Sequence, residues 1–212
     1  PAWFYDSSDE YWTTEISSNG EYFAVGTKDF KVNLFSKKSN DLLWSYTTGD
    51  DVKSIALSSN GKYIAAGSDD NKVYLFNRDS STPIWSYQTG GDIDSISISE
   101  DGKYIAVGSS DNEYYLFGRD SSTPLQNYEF EDDITSVSIS ADGYYTVVGS
   151  SSSDKIVCVF QNNRGSPNWC YTASDSVSST VISADGHYVS ALSESGKLHF
   201  FSVSNSTPIW SI

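Results

Sequence analysis

The chain has no methionine, two cysteines and two histidines in 212 residues. Position 1 is proline rather than methionine, so the chain is expected to be a processed product or a segment of something longer. Two cysteines without a nearby histidine supply no metal-ligand set, and neither a metal nor a cofactor is expected. No apolar run approaches the roughly 18 to 20 residues of a membrane span, and nothing at the N-terminus reads as a secretory signal. Positive charge is scarce: 13 Lys and Arg stand against 28 Asp and Glu, leaving a formal charge of −15. Nucleic-acid backbone needs clustered Lys and Arg, so nucleic acid is excluded as a partner. For the acidic charge, a cationic partner, a metal ion and simple solubility all remain open.

What the chain does have is aromatic residues, 15% of the total, with only 19% charged residues. Ser, Thr, Asn and Gly fill the polar positions, which is the makeup of an all-β surface. A Trp-x-Tyr pattern followed 17 residues later by a turn glycine recurs at Trp3/Gly20, Trp44/Gly61, Trp85/Gly102, Gln126/Gly143 and Trp169/Gly186. The fourth copy carries Gln in place of Trp, and a sixth begins at Trp210. Units starting at about 3, 44, 85, 126 and 169 are spaced by 41, 41, 41 and 43 residues, and the sixth copy begins 41 residues after the fifth. That period, with no helical pattern inside it, predicts an all-β fold of four-stranded propeller blades in a single domain over 1–212.

Each unit reads alike. In the second, VKSIALS alternates large and small residues with period two. Asn60-Gly61 is a tight hairpin signal, since glycine tolerates positive φ. KYIAAGS and KVYLF form the next two strands, and IWSYQ the fourth, with proline near its start where a missing N–H is tolerated at an edge.

On these residues the chain resembles prokaryotic WD-repeat-like β-propellers of the pyrroloquinoline-quinone repeat type. Ser or Thr at 27, 68, 109, 150 and 193 and turn Asp at 29, 70, 111 and 154 match that family's structural hydrogen-bond network. The Gly-His pair and Trp-Asp ending of WD repeats proper are absent, with Phe where the Trp would stand. The resemblance implies a propeller of five blades, or a five-blade segment of a larger one. Six copies of the fourth strand accompany five of the others, so either Ala2–Tyr5 or Ile209–Ile212 is surplus to a closed five-bladed ring. A surplus strand with unpaired N–H groups offers an edge for self-association.

In this fold the connections from strand four to strand one and from strand two to strand three share one face. They collect Asp9, Glu10, Asp50, Asp51, Asp92, Asp132, Asp133 and Asp175, with the turn residues Asp29, Asp69, Asp70, Asp111, Asp154 and Glu194. Lys37, Lys38, Arg78, Arg119 and Arg164 fall on the opposite face, so a polarised molecule is expected. Two carboxylates ~10 Å apart in water repel by only about 0.4 kcal/mol, which an acidic ring tolerates, while turn Asp residues also commonly bond their own backbone. One column near the channel mouth varies between units, comprising Trp12, Lys53, Asp94, Thr135 and Ser178, and is the candidate binding surface. Cys158 and Cys170 replace Tyr74 and Ser86 of the second unit at opposed hairpin positions, which suggests a disulfide and an oxidising compartment; two reduced core thiols are the alternative. His187 and His199 have no distinctive Ser or Asp partner, because both residue types are abundant throughout.

The expected function is non-enzymatic: binding or scaffolding of a protein or peptide ligand, of cationic character, at the channel mouth. A secreted or cell-surface location is expected, with a cytoplasmic one as the alternative. A quinoprotein-like enzyme rests on fold resemblance alone, and a sugar-binding propeller would rest on aromatics between blades.

Overall fold

A computed structural model describes residues 10–38 and 42–212, and every regular element among them is a strand. Blade 1 comprises β1 (Tyr11–Ile16), β2 (Tyr22–Thr27), β3 (Lys31–Ser36) and β4 (Leu42–Thr47). Blade 2 comprises β5 (Val52–Leu57), β6 (Tyr63–Ser68), β7 (Lys72–Asn77) and β8 (Trp85–Gln88). Blade 3 has β9 (Ile93–Ile98), β10 (Tyr104–Ser109), β11 (Glu113–Gly118) and β12 (Pro124–Glu129). Blade 4 has β13 (Ile134–Ile139), β14 (Tyr145–Ser150), β15 (Ile156–Gln161) and β16 (Pro167–Thr172). Blade 5 has β17 (Val177–Ile182), β18 (Tyr188–Ser193), β19 (Leu198–Ser202) and β20 (Trp210–Ser211). Each blade is an antiparallel sheet in chain order, so the five four-stranded blades read from the repeat are all present.

The first hairpin shows why the repeat folds this way. Gly61 has φ +65°, a conformation open to glycine at little steric cost. Its N–H donates to Ser58 O at 2.8 Å, and the Tyr63 N–H donates to the Ser58 hydroxyl at 3.0 Å. The same serine stands at 17, 99, 140 and 183 and receives the equivalent tyrosine N–H in each unit.

Large residues on one blade fill the space over small residues on the blade before it. Ala56, Ala65, Val73 and Leu75 of blade 2 lie under Ile93, Ile96, Ile105, Val107 and Phe117 of blade 3, and equivalent cores join blades 1 and 2, 3 and 4, and 4 and 5. The inner strands are also bonded through serine. Ile96 N–H donates to Ser54 Oγ at 2.9 Å, Val137 N–H to Ser95 Oγ at 3.0 Å and Thr180 N–H to Ser136 Oγ at 2.8 Å. At the outer end, tryptophan reaches into the next blade. Trp44, Trp85 and Trp169 donate their indole N–H to the carbonyls of Arg78, Arg119 and Val203 at 2.6, 2.8 and 2.6 Å. Each ring also lies 5.2 to 5.4 Å from the following blade's Phe. Trp3 lies outside the described residues.

The strand count is settled at one end. β20 pairs with β19 as the fourth strand of blade 5, so the C-terminal copy is not surplus; Ala2–Tyr5 lies outside the described residues. Among the described residues, four packed cores join the five blades in chain order.

The acidic channel mouth

Backbone irregularities, rather than regular strands, shape the candidate site. Near the start of each first strand the ladder slips by one residue: between Tyr11 and Thr13, Val52 and Ser54, Ile134 and Ser136, and Val177 and Ser179. In blade 3 the slip falls opposite Gly108 and Ser109, between Ile93 and Ser95. The residues skipped are Trp12, Lys53, Thr135, Ser178 and Asp94, the variable column of the sequence. A bulge leaves one residue out of the ladder and re-aims its side chain, so blade packing places little demand on its identity. That is the physical source of the variation.

The column's members differ in their surroundings. Trp12 is 48% exposed and donates its indole N–H to Asp51 Oδ2 at 2.9 Å, with the Lys28 ammonium 4.8 Å from its ring centroid. Lys53 Nζ sits 2.7 Å from Asp69 Oδ2 and 3.9 Å from Asp92 Oδ2. Burial works against the lysine's charge, but the carboxylates of Asp69, Asp94 and Asp92 outweigh it and raise its pKa. Asp94 is pushed up to about 6, chiefly by burial; Lys53 opposes the shift, while Asp92, Asp69 and Asp133 add to it. Burial also raises Asp69 and Asp133. Thr135 donates its hydroxyl to Gly149 O at 3.0 Å, and Ser178 donates to Leu192 O at 3.1 Å, so both are turned to the backbone. Trp12, Lys53 and Asp94 are therefore the column residues that face the carboxylates.

The acidic residues divide into two groups. The turn aspartates fasten blades together internally. Asp70 accepts the Gly49 N–H at 2.7 Å and the Tyr74 hydroxyl at 2.5 Å, and Asp111 accepts the Gly90 N–H and the Tyr115 hydroxyl, both at 2.7 Å. Asp154 accepts the Glu131 N–H at 2.7 Å. Asp132 joins this group: the Ser153 and Asp133 N–H groups bring its pKa down to about 2. Asp50 and Asp175 each accept the N–H of the following residue at 2.9 Å. Glu10 is exposed and paired with Lys28, and Asp9 lies outside the described residues. Asp29 accepts the Thr27 hydroxyl at 2.5 Å, while Asp51, Asp69, Asp92, Asp94 and Asp133 surround the bulges. The sequence named both column and carboxylates without joining them; the 39-residue span between Trp12 and Asp51 carries no local signal.

The opposite end differs from the expected basic face. Glu100, Asp101, Asp142 and Asp185 line a central depression of 510 Å³, while the cations lie over tyrosines. Arg78 is 4.5 Å from the Tyr22 ring centroid and Arg119 4.9 Å from that of Tyr63. The carboxylates stay central because they shape the hairpins: Ser99 and Ser140 donate their hydroxyls to Asp101 and Asp142 at 2.8 and 2.6 Å. Both ends of the axis are thus acidic.

Over residues 2–212 the chain matches the PQQ_2 family model, described as outer membrane protein assembly factor BamB. The chain belongs to this family. Its five antiparallel four-stranded blades make it a PQQ-type, WD-like repeat propeller. Comparison with curated protein sequences gives no match. Among solved structures, a chain in a crystal structure of the mitotic checkpoint complex is similar at a TM-score of 0.86 and 18% identity, covering 98% of this chain and 66% of that one. The present chain thus spans about two thirds of that chain's length, and the likeness is one of fold.

Two features of this PQQ_2 chain lie away from the mouth. Cys158 and Cys170 are cross-strand partners with Cα atoms 4.1 Å apart, and their sulfurs are bonded at 2.00 Å. His199 is buried beneath blade 4, with Nδ1 2.8 Å from the Ser211 hydroxyl; burial and then Lys197 lower its pKa. No helix long and apolar enough to cross a membrane occurs among the described residues.

Proposed function

We propose that this propeller is a non-enzymatic binding module whose acidic mouth takes a basic segment of a protein or peptide. The observation that carries the reading is the convergence of Asp51, Asp69, Asp92, Asp94 and Asp133 on a column whose one lysine, Lys53, is already engaged by two of them. Such a field attracts cations and discriminates against anions. Trp12 adds an exposed aromatic face on which a guanidinium or ammonium group gains cation–π energy, as Lys28 already shows.

Pyrroloquinoline quinone, the cofactor in the family's name, fits this mouth poorly. Its carboxylates need cationic partners, and the mouth answers mainly with carboxylates of its own. The Cys158–Cys170 bond supports action in an oxidising compartment, at the cell surface or after secretion.

Fluorescence anisotropy with a labelled Arg/Lys-rich peptide, and a Glu-rich peptide as control, tests the reading. The basic peptide alone should bind, more weakly as salt rises. Asp92→Asn with Asp94→Asn should weaken binding about tenfold, as expected for losing two solvent-screened ion pairs at about 0.7 kcal/mol each. Equal binding of both peptides, or affinity unmoved by the double substitution, would refute it.

A further inference from the structure

The junction between blades 3 and 4 departs from the repeat at three neighbouring points on its outer rim. Cys158 stands where Tyr74 and Tyr115 stand in blades 2 and 3, and those tyrosines donate their hydroxyls to Asp70 and Asp111. Glu131 stands where Gly49 and Gly90 offer their N–H to the same aspartates. Phe130 stands in the place of Thr48 and Thr89. Between these points lies a cavity of 430 Å³, walled by the rings of Tyr128 and Phe130, by Glu129, Glu131 and Asp154, and by the Cys158–Cys170 bond. Blades 3 and 4 each pack against a blade on both sides, so the cavity belongs to the interior of the series.

Asp154 is 8% exposed, yet among the described residues one hydrogen bond reaches it, from the Glu131 N–H at 2.7 Å. Asp70 and Asp111 accept a tyrosine hydroxyl as well, together with the N–H of Lys72 at 3.0 Å and of Glu113 at 3.1 Å. In blade 4 the tyrosine is gone. The turn from Ser150 to Ile156 is also longer than that from Ser68 to Lys72, and the Ile156 N–H goes to Ser150 Oγ at 3.1 Å instead. A buried carboxylate short of donors is costly. Glu131 adds to that cost. A Cβ at Gly49 would lie 3.0 Å from Asp70 Oδ2, so a side chain at this position starts against the aspartate, and here it carries a second carboxylate. Glu129 supplies a third. Among the described residues no Lys or Arg lines the cavity; Lys155, next in the chain to Asp154, is not one of its walls. Like charges gathered around a partly enclosed space without a counter-charge break a local rule of stable folds, and such breaks mark functional positions.

We propose that this cavity takes the side chain of an arginine from a protein or peptide partner. A planar guanidinium stacks on an aromatic face while its N–H groups fork toward carboxylates. Tyr128 and Phe130, with ring centroids 5.1 Å apart at 74°, supply the aromatic walls, and Asp154, Glu129 and Glu131 supply the acceptors. A phenol would return the hydroxyl that Asp154 has lost but would leave both glutamates unanswered. The pocket is separate from the acidic mouth, since it lies at the outer strands β12, β15 and β16 whereas the bulges lie on the inner strands. Glu131 leads through Asp132 to Asp133 at the mouth, so a basic segment seated there is placed to send an arginine here. The pocket does not require that reading.

An NMR titration of the whole chain with N-acetyl-arginine amide tests it. The backbone amide signals of Glu131, Asp154 and Ile156 should shift and saturate, with a dissociation constant in the millimolar range. N-acetyl-citrulline amide, of the same shape without the charge, and N-acetyl-tyrosine amide, which would restore the phenol, should leave them unmoved. Asp154→Asn should weaken arginine binding about tenfold, the loss of a charge-assisted hydrogen bond. Glu131→Gln, an exposed side chain whose backbone N–H is kept, should weaken it about threefold with the far-UV circular dichroism unchanged. Overturning results are no saturable shift at these amides, equal shifts with citrulline or tyrosine, and an affinity that neither substitution moves. Shifts confined to Asp51, Asp92 and Asp94 would also overturn the pocket, while leaving the reading of the mouth in place.

Discussion

The junction between blades 2 and 3 and that between blades 3 and 4 bury equivalent faces with different chemistry. In the first, Trp85 covers Phe117 and donates to Arg119 O at 2.8 Å, and beneath it the Tyr115 hydroxyl donates to Asp111 at 2.7 Å. In the second, Gln126 replaces the tryptophan, and both of its amide atoms are buried without a partner. Tyr114 stands where Val73 stands in blade 2 and puts its ring 4.9 Å from Phe160, refilling the space that the indole leaves. Its hydroxyl approaches Asn162, which accepts from Thr146 at 2.9 Å and donates to Gly143 O at 2.8 Å. Cys158 replaces the clamping tyrosine, and a covalent bond to Cys170 ties strands three and four instead. The backbone thus asks for a filled volume and a fastened strand at these points, and more than one set of residues supplies them. The inner strands do not vary so freely, since serine hydroxyls receive the next blade's N–H at both junctions.

The sharpest way to break the comparison is to give the regular junction the irregular residue. Trp85→Gln removes a large ring where Val73, not a tyrosine, stands beneath. Trp85 is partly buried, so the loss should be about 2–3 kcal/mol, at or below the low end of the range for deleting a buried aromatic. Urea denaturation followed by circular dichroism measures it. A loss below about 1 kcal/mol, the size of an ordinary substitution, would mean that the tryptophan clamp is dispensable even without its substitute.

An effect of similar size belongs to the disulfide. With the cysteines 12 positions apart in sequence, removing the bond should cost about 3 kcal/mol on the loop-closure scale. The Cys158→Ala, Cys170→Ala double variant should match reduced wild type, and neither should respond further to reductant. If reduction leaves the urea midpoint unmoved, the bond does not stand in for the tyrosine–aspartate clamp.

Much of this was legible in the sequence, for a physical reason. Each blade solves the same packing problem, so the tyrosine, the hairpin glycine and the terminal Phe recur with the period, and five blades followed from counting them. The bulges were not legible as such, because an extra residue in a strand leaves no compositional mark; they surfaced only as the variable column. The opposed cysteines were legible because two departures from a repeat coincided across one hairpin.

The smallest effect lies at the inner rim of both junctions, where Asp94 of blade 3 has Lys53 of blade 2 on one side and Asp133 of blade 4 on the other. Burial, with the neighbouring carboxylates, pushes its pKa up to about 6 from 3.8. The folded protein therefore holds a proton that the unfolded chain releases between these values. Stability should fall as pH rises through that window and level off above it. Asp132 has its pKa lowered to about 2, so it adds stability above its ordinary value that is lost on acidification, mostly below the window. Because the Asp94 side chain, though crowded by the rim, still reaches solvent, the slope is shallow. Asp94→Asn should flatten it, leaving the contribution of Asp69 and Asp133, as followed by urea midpoints at several pH values. The two sides of the rim then separate in an NMR titration of the Asp94 carboxyl: Lys53→Met should move its midpoint up and Asp133→Asn should move it down. Equal midpoints in both variants would mean that burial alone sets the value and that the two junctions are electrostatically alike at their inner ends.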